Sequence, residues 1–197
     1  YKVKYKDSGE VERFKARLVA MAYGQREGID YKESFSPVVK IKIAITILAT
    51  ATKKNWFVHQ MDVYNAFLNG DLTDEVYMEL PQGFASQGKN SVCRLTKSLY
   101  GLKQAPRQWN TKLSEVLLRS QFVQSQYDPS LYIRRTPKGI ILVLVYVDDM
   151  LIIGDSLKLI EDAKVILQQS FKMKDLGELR FFLGIEFARS SKGILMH

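Results

Sequence analysis

Two adjacent carboxylates, Asp148 and Asp149, interrupt an otherwise apolar stretch. Residues 140–147 lead into them, mostly β-branched or aromatic, and Met150 to Ile153 lead away to Gly154. Length and composition predict a strand, a tight connection and a second strand. Ionised carboxylates beside a buried hairpin are costly unless a positive charge pairs with them. A turn accommodates one Asp readily. Two side by side repel each other, and a divalent cation would relieve that repulsion. From these residues alone, a metal site and a solvated turn both stand. A third carboxylate, Asp62, closes the alternating run Trp56–Val63, in which Trp56, Val58, Gln60 and Asp62 point one way and Phe57, His59, Met61 and Val63 the other. By itself Asp62 also suits a helix cap or a turn.

The elements that must position these side chains follow from the periodicity. Tyr1 to Ala22 reads as a basic hairpin turning at Asp7-Ser8-Gly9, its second strand running from Val11 and Phe14 to Met21. Ser36-Pro37 opens a helix over Val38–Lys54 with Ile41, Ala44, Ile45 and Leu48 on its apolar face. Val76–Glu79, stopped by Pro81-Gln82-Gly83, and Val92–Thr96 are short strands. Pro106 starts a helix reaching Phe122, with Trp109, Leu113, Val116 and Leu117 as its stripe. Ser130–Arg134 is a strand ahead of the carboxylate hairpin. Ser156 starts a helix to Gln169, and Leu179–Phe187 reads as one last strand with Phe181, Leu183, Ile185 and Phe187 on one face. The order around the carboxylates is strand, helix, strand, strand hairpin, helix, strand. It predicts an α+β layer with helices on one face of an antiparallel sheet. Asp62 and the hairpin tip then converge at one end of neighbouring strands. Asp148 is expected to be the closer metal-sharing partner of Asp62, with Asp149 more to the side.

Charge supports a polyanion-handling surface. The 197 residues carry a net charge of +8, unevenly spread. Residues 1–54 are net +6, residues 55–88 net −5, residues 89–138 net +8 and residues 139–197 net −1. Basic blocks thus alternate with carboxylate-bearing ones, as an enzyme acting on polyphosphate or nucleic acid requires. Ordinary solvated faces would give the same total. Hydrophobic residues make up 46%, which excludes a disordered chain. No apolar run is long enough for a membrane helix. One cysteine, Cys93, and two scattered histidines exclude an internal disulfide and a zinc-ligand cluster, and fit a reducing intracellular setting. No secretory signal opens the chain. It begins at Tyr1 and is expected to be a piece of a longer protein.

Taken together, the motifs resemble the reverse transcriptase of copia-type LTR retrotransposons. They are Lys15–Ala20, Glu27–Tyr31, Phe35–Val39, His59–Val63 with Ala66–Gly70, Ser98–Trp109, Tyr127–Leu131, Tyr146–Asp149 and Lys174–Leu179 leading to Phe182–Ile185. The chain departs from the family pattern at Ile43-Ala44-Ile45 and at Tyr64.

The resemblance implies a right-hand polymerase without its thumb. Residues 1–55 would be fingers, and residues 56–80 palm with the first catalytic Asp. Residues 81–110 would be a return segment between fingers and palm, and residues 111–197 palm with the catalytic hairpin and a primer-grip strand. Asp62, Asp148 and Asp149 would be catalytic and, with Val63, would hold two Mg2+ ions, Mn2+ being a substitute. Lys15, Arg17, Asn65, Ala66, Phe67, Tyr100 and Gly101 would contact the dNTP, Phe67 as the steric gate against a 2′-OH. Lys103, Pro106, Arg107, Leu183, Gly184 and Ile185 would meet template and primer. Implied partners are an RNA template, a DNA or RNA primer, dNTPs and the other Pol domains (thumb, RNase H, integrase), with no membrane. The implied setting is a cytoplasmic virus-like particle. A catalytically decayed remnant, an RNA-binding module and a palm-type nucleotide cyclase are the other readings. The cyclase would not need Ser98–Trp109 or the basic hairpin.

Overall fold

The computed structural model describes residues 2–6, 8–81, 83–84, 91–190 and 193–197. Asp7 of the expected turn, Gln82 of the expected strand stop and the side chain of Lys15 lie outside the described residues. In chain order the strands are β1 Lys2–Tyr5, β2 Val11–Lys15, β3 Phe57–Val63, β4 Asp71–Glu79, β5 Val92–Lys97, β6 Val123–Gln124, β7 Leu131–Thr136, β8 Gly139–Tyr146, β9 Asp149–Gly154, β10 Met173–Glu178, β11 Phe181–Phe182, β12 Ile185–Ser190 and β13 Gly193–Met196. The helices are α1 Ile41–Lys53, α2 Ala105–Arg119 and α3 Leu157–Ser170.

Six strands form one antiparallel sheet in the order β10-β3-β9-β8-β7-β6. Its central strands read as continuous apolar runs because both faces are covered. On one face Met61, Val63, Ile141, Val143, Val145, Met150 and Ile152 meet Trp109, Leu113 and Leu117 of α2 and Ile160, Ala163 and Leu167 of α3. On the other, Val58, Leu142, Leu144, Leu151 and Ile153 meet Ala44, Leu48 and Ala51 of α1 together with Phe182 and Phe187. Ile152 and Ile153 are fully buried, and truncating either to Ala would cost about 2–5 kcal/mol.

Helices on one face is thus correct for α2 and α3, while α1 lies across the sheet from them. Helix α1 starts three residues later than Ser36-Pro37 suggests. The cause is tertiary: the Val39 N–H donates to the Val145 carbonyl at 3.2 Å, so residues just before Ile41 are tied to β8 rather than coiled. Ile41 is exposed, and Ile43 and Ile47 pack on the core in its place. Strand β2 ends at Lys15, well short of Met21. Beyond it Val19 is bridged in parallel to Tyr100, and Ala22–Gly24 form a 3-10 turn.

The expected single strand Leu179–Phe187 is a hairpin. Phe182 and Ile185 are register partners, and Leu183 and Gly184 form the two-residue turn between them with φ of +55° and +80°. Positive φ at both central residues is the turn geometry that matches strand twist. The strand completing the main sheet is instead β10, which pairs with β3.

Candidate active site

The hairpin β8–β9 turns over two residues, Val147 and Asp148, since Tyr146 and Asp149 are register partners. Val147 has φ +54°. That backbone conformation is strained for a β-branched residue and persists only where surroundings hold it. Two hydrogen bonds do so. The Trp109 indole Nε1–H donates to the Val147 carbonyl at 2.8 Å, and the Val63 N–H donates to the Asp148 carbonyl at 2.9 Å. The turn is thereby fixed to α2 and to the end of β3.

Asp62 on β3 lies directly across from Asp149 on β9 and, on its other side, from Lys174 on β10. Cross-strand partners share a face. One row across the sheet thus reads Lys174, Asp62, Asp149, Tyr146. Asp62, Asp148 and Asp149 are each half-buried. Burial raises the Asp149 pKa above the usual carboxylate value, and the charges of Asp148 and then Asp62 add to the rise, against a weak opposing bond from Gln60 Nε2 at 3.4 Å. Burial also raises the Tyr100 phenol, with Asp148 and Asp62 contributing and Arg17 opposing. All three carboxylates therefore bear on one small region. Among the described residues, no three His, Cys, Asp or Glu side chains are gathered as a ready-made metal cluster.

Beside the carboxylates the chain leaves β3 through a 3-10 turn, Ala66–Asn69, entered at Asn65 with φ +49°. Ala66 is buried. The Phe67 ring lies 4.7 Å from that of Tyr100, and the Arg17 guanidinium lies over the other ring at 5.3 Å. Gly101 has φ +97°, and a Cβ there would meet the Ala20 carbonyl at 2.1 Å. The strap from Arg17 to Gln25 is therefore laid tightly on this loop. Pro106 sits in the first turn of α2. The Lys103 N–H donates to Gln25 Oε1 at 2.9 Å, and Arg107 is ion-paired with Glu33.

Beside Asp149 is a cavity of about 490 Å3, lined by Gln60, Tyr146 and Asp149 together with Phe182, Leu183 and Gly184. The structure thus brings Asp62, Asp148, Asp149, Phe67, Tyr100 and Arg17 to one region. Leu183 and Gly184 border the same hairpin, and Ile185 begins the strand beyond. Lys103, Pro106 and Arg107 cluster around the start of α2.

Lys174 and Gln25 are the residues whose placement sequence reasoning did not anticipate. The alternation rule applied to β10 would have found Lys174 only once that polar edge strand was recognised. A second polar group steadies the same strand: buried Lys164 of α3 bonds His59 Nδ1, Glu161 and Asp175, each at 2.8 Å. Burial lowers the Lys164 pKa, but the bonds to Asp175 and Glu161 outweigh it and the net shift is upward.

Carboxylates at adjacent strand ends, flanked by aromatic rings and basic side chains, suit a site for metal-assisted phosphoryl chemistry. The model of the family described as reverse transcriptase (RNA-dependent DNA polymerase) matches residues 1–197, and the chain belongs to that family. It is 48% identical over 192 residues to the retrovirus-related Pol polyprotein from transposon RE1 of Arabidopsis thaliana, covering 97% of this chain and 13% of the relative. The corresponding polyprotein from transposon TNT 1-94 of Nicotiana tabacum is 46% identical over 191 residues, covering 96% and 14%. A more distant relative, the Ty1-GR3 Gag-Pol polyprotein of Saccharomyces cerevisiae, is 28% identical over 166 residues, covering 83% and 9%. The chain is a reverse transcriptase domain of the kind found in retrotransposon Pol polyproteins, and it spans about one eighth of the length of the plant relatives. Among the described residues, no helix is long and apolar enough to cross a membrane.

Proposed function

We propose that the chain adds deoxynucleotides to a primer 3′-hydroxyl on an RNA or DNA template, within a longer Pol polyprotein that supplies thumb, RNase H and integrase. The observation that carries this reading is the row of Asp62 and Asp149 with Asp148 at the adjoining turn, near enough to Tyr100, which pairs with Phe67, for Asp148 and Asp62 to raise its phenol. The donor set fits a hard divalent cation: it consists of oxygen ligands, and burial together with the neighbouring charges of Asp148 and Asp62 raises the proton affinity of Asp149. Asp62, Asp148, Asp149 and the Val63 carbonyl would hold two Mg2+ ions, which when bound would supply Lewis acidity toward the 3′-hydroxyl and charge neutralisation on the triphosphate.

The chain's own residues bind and orient. Arg17, with Lys15 beside it in sequence, offers cationic charge to the triphosphate. The backbone at Asn65 and Ala66 faces the same phosphates. Phe67, backed by Tyr100, occupies the volume a ribose 2′-hydroxyl would need. Gly101 keeps the loop close to the nascent base pair. Lys103, Pro106 and Arg107 take the template, and the Leu183-Gly184-Ile185 turn takes the primer end. In this reading the main sheet with α2 and α3 is the palm and residues 1–55 belong to the fingers.

The test is extension of oligo(dT) on poly(rA) with dTTP and Mg2+, using a polypeptide that carries this domain. Incorporation is expected from the parent and not from Asp62→Asn of unchanged circular dichroism. Absence of incorporation by the parent, or parental rates from the variant, would overturn the assignment.

A further inference from the structure

The strap Arg17–Gln25 crosses the Ser98–Gln104 loop with little burial of its own. Met21 and Tyr23 are 85% and 93% exposed, whereas Ala20 is 7% exposed. Apolar packing of the strap is confined to Ala20 and Ala22 against Leu99, Leu102 and Ala105, and polar contacts supplement it. The Ala20 N–H donates to the Tyr100 carbonyl at 2.7 Å. The second pin is the Gln25 side chain. Its Oε1 accepts from the Lys103 N–H at 2.9 Å, and its Nε2 donates to Gln104 Oε1 at 3.1 Å.

These bonds determine the orientation of both amides. A backbone N–H can only donate, so the oxygen of Gln25 must face Lys103 and its NH2 must face Gln104. Gln104 then presents its oxygen and leaves its Nε2 buried without a partner. Gln104 is 1% exposed, so it has no water to turn to if Gln25 is lost. The Gln25 amide thus clamps the loop three residues beyond Tyr100, while Ala20 clamps it at Tyr100 itself. Between the pins lies Gly101, whose close approach to Ala20 leaves no slack.

We propose that Gln25 is a positioning residue for deoxynucleotide binding: its bridge between Lys103 and Gln104 holds Tyr100 and Gly101 against the nucleotide pocket. This rests on the polymerase reading above. Gln25 touches no substrate. It acts through the loop, so its loss loosens the nucleotide pocket while the carboxylate hairpin, anchored separately through Trp109 and Val63, stays in place.

The experiment is steady-state primer extension on poly(rA)/oligo(dT) with dTTP and Mg2+, with binding of the template–primer measured in parallel. Gln25→Leu keeps the side chain's bulk and removes both bonds. It is expected to raise the KM for dTTP about tenfold, with kcat and template–primer affinity within about twofold of the parent. Gln25→Glu keeps the acceptor for Lys103, and the Gln104 amide can turn to donate to it, so this variant should recover a near-parental KM. Gln25→Asn keeps the chemistry but is too short to span both partners, and should resemble Gln25→Leu. If Gln25→Leu does not fold, Gln25→Asn carries the comparison. An unchanged KM in the folded Leu and Asn variants, or equal loss of kcat, KM and template–primer affinity, would overturn the proposal. A parent that incorporates no dTTP at all would instead overturn the polymerase reading and this inference with it.

Discussion

The indole N–H of Trp109 donates to the carbonyl of Val147 at 2.8 Å, so helix α2 holds the strained residue of the carboxylate turn. The Trp109 ring also packs edge-on against Phe171 at 5.0 Å. Trp109→Phe retains most of that packing and deletes the donor. It should lower stability by about 1–3 kcal/mol, the cost of an unmet buried carbonyl. Primer extension should fall further than the loss of folded protein explains. Urea denaturation alongside single-turnover kinetics separates the two effects, and activity that tracks the folded fraction would count against the turn being held for catalysis.

Asp148 and Asp149 should not be equivalent. Asp149 is the register partner of Asp62, and Asp148 sits on the adjoining turn. If the turn carboxylate is nevertheless the one that shares metals with Asp62, Asp148→Asn is expected to remove more than about 100-fold of primer extension, since even residues behind metal ligands typically account for 10–100-fold. Asp149→Asn should lose less. The opposite ranking in rates measured at saturating dNTP and Mg2+ would reverse the assignment.

The raised pKa of Asp149 makes a separate statement about stability. Its folded-state value lies above the ordinary carboxylate value of 3.8, so the ionised form destabilises the fold. That penalty is present in full above the folded pKa and disappears as pH falls toward 3.8. Asp149→Asn should therefore be more stable than the parent at neutral pH without added metal, with the difference shrinking as both are acidified. Thermal melts from pH 7 down to pH 4 read this directly. A variant less stable than the parent at pH 7 would show that Gln60 and the cavity polar groups favour the charge.

Phe67 stands against Tyr100 with ring centroids 4.7 Å apart. Phe67→Ala should admit a ribose 2′-hydroxyl and raise rNTP incorporation relative to dNTP by about 10–200-fold, the range typical of a pocket opened by apolar truncation. The measurement is the ratio of kcat/KM for UTP and dTTP. An unchanged ratio would remove Phe67 from the gate.

Much of this arrangement is legible in the residues. Alternation placed both faces of β3 correctly, because Met61 and Val63 meet one helical layer while Val58 meets the other. The apolar run before Asp148 reads as a buried strand, and β8 is one. The misses have local physical causes. Phe181, Leu183, Ile185 and Phe187 alternate like one strand, and nothing about Leu183 advertises φ +55°. Strand β10 is polar, mostly exposed and broken by a bulge between Asp175 and Gly177, so it carries no apolar period. In the site, Asp62 and the hairpin could be paired by reasoning on strand ends. The Lys174 cross-strand neighbour and the Gln25 bridge could not, because both depend on long-range register and on amide orientation.

Strand β9 has β3 on one side and β8 on the other, and both faces of that trio are covered. Amide hydrogens of Met150 to Ile153 should therefore exchange with solvent only when the whole domain unfolds, whereas those of the strap around Gln25 should exchange through local opening. The carboxylates adjoin this fully covered trio of strands, whereas the Ser98–Gln104 loop is braced by a strap that has little apolar burial. If that loop serves the nucleotide as proposed, it can be remodelled without disturbing the residues proposed to hold the metals.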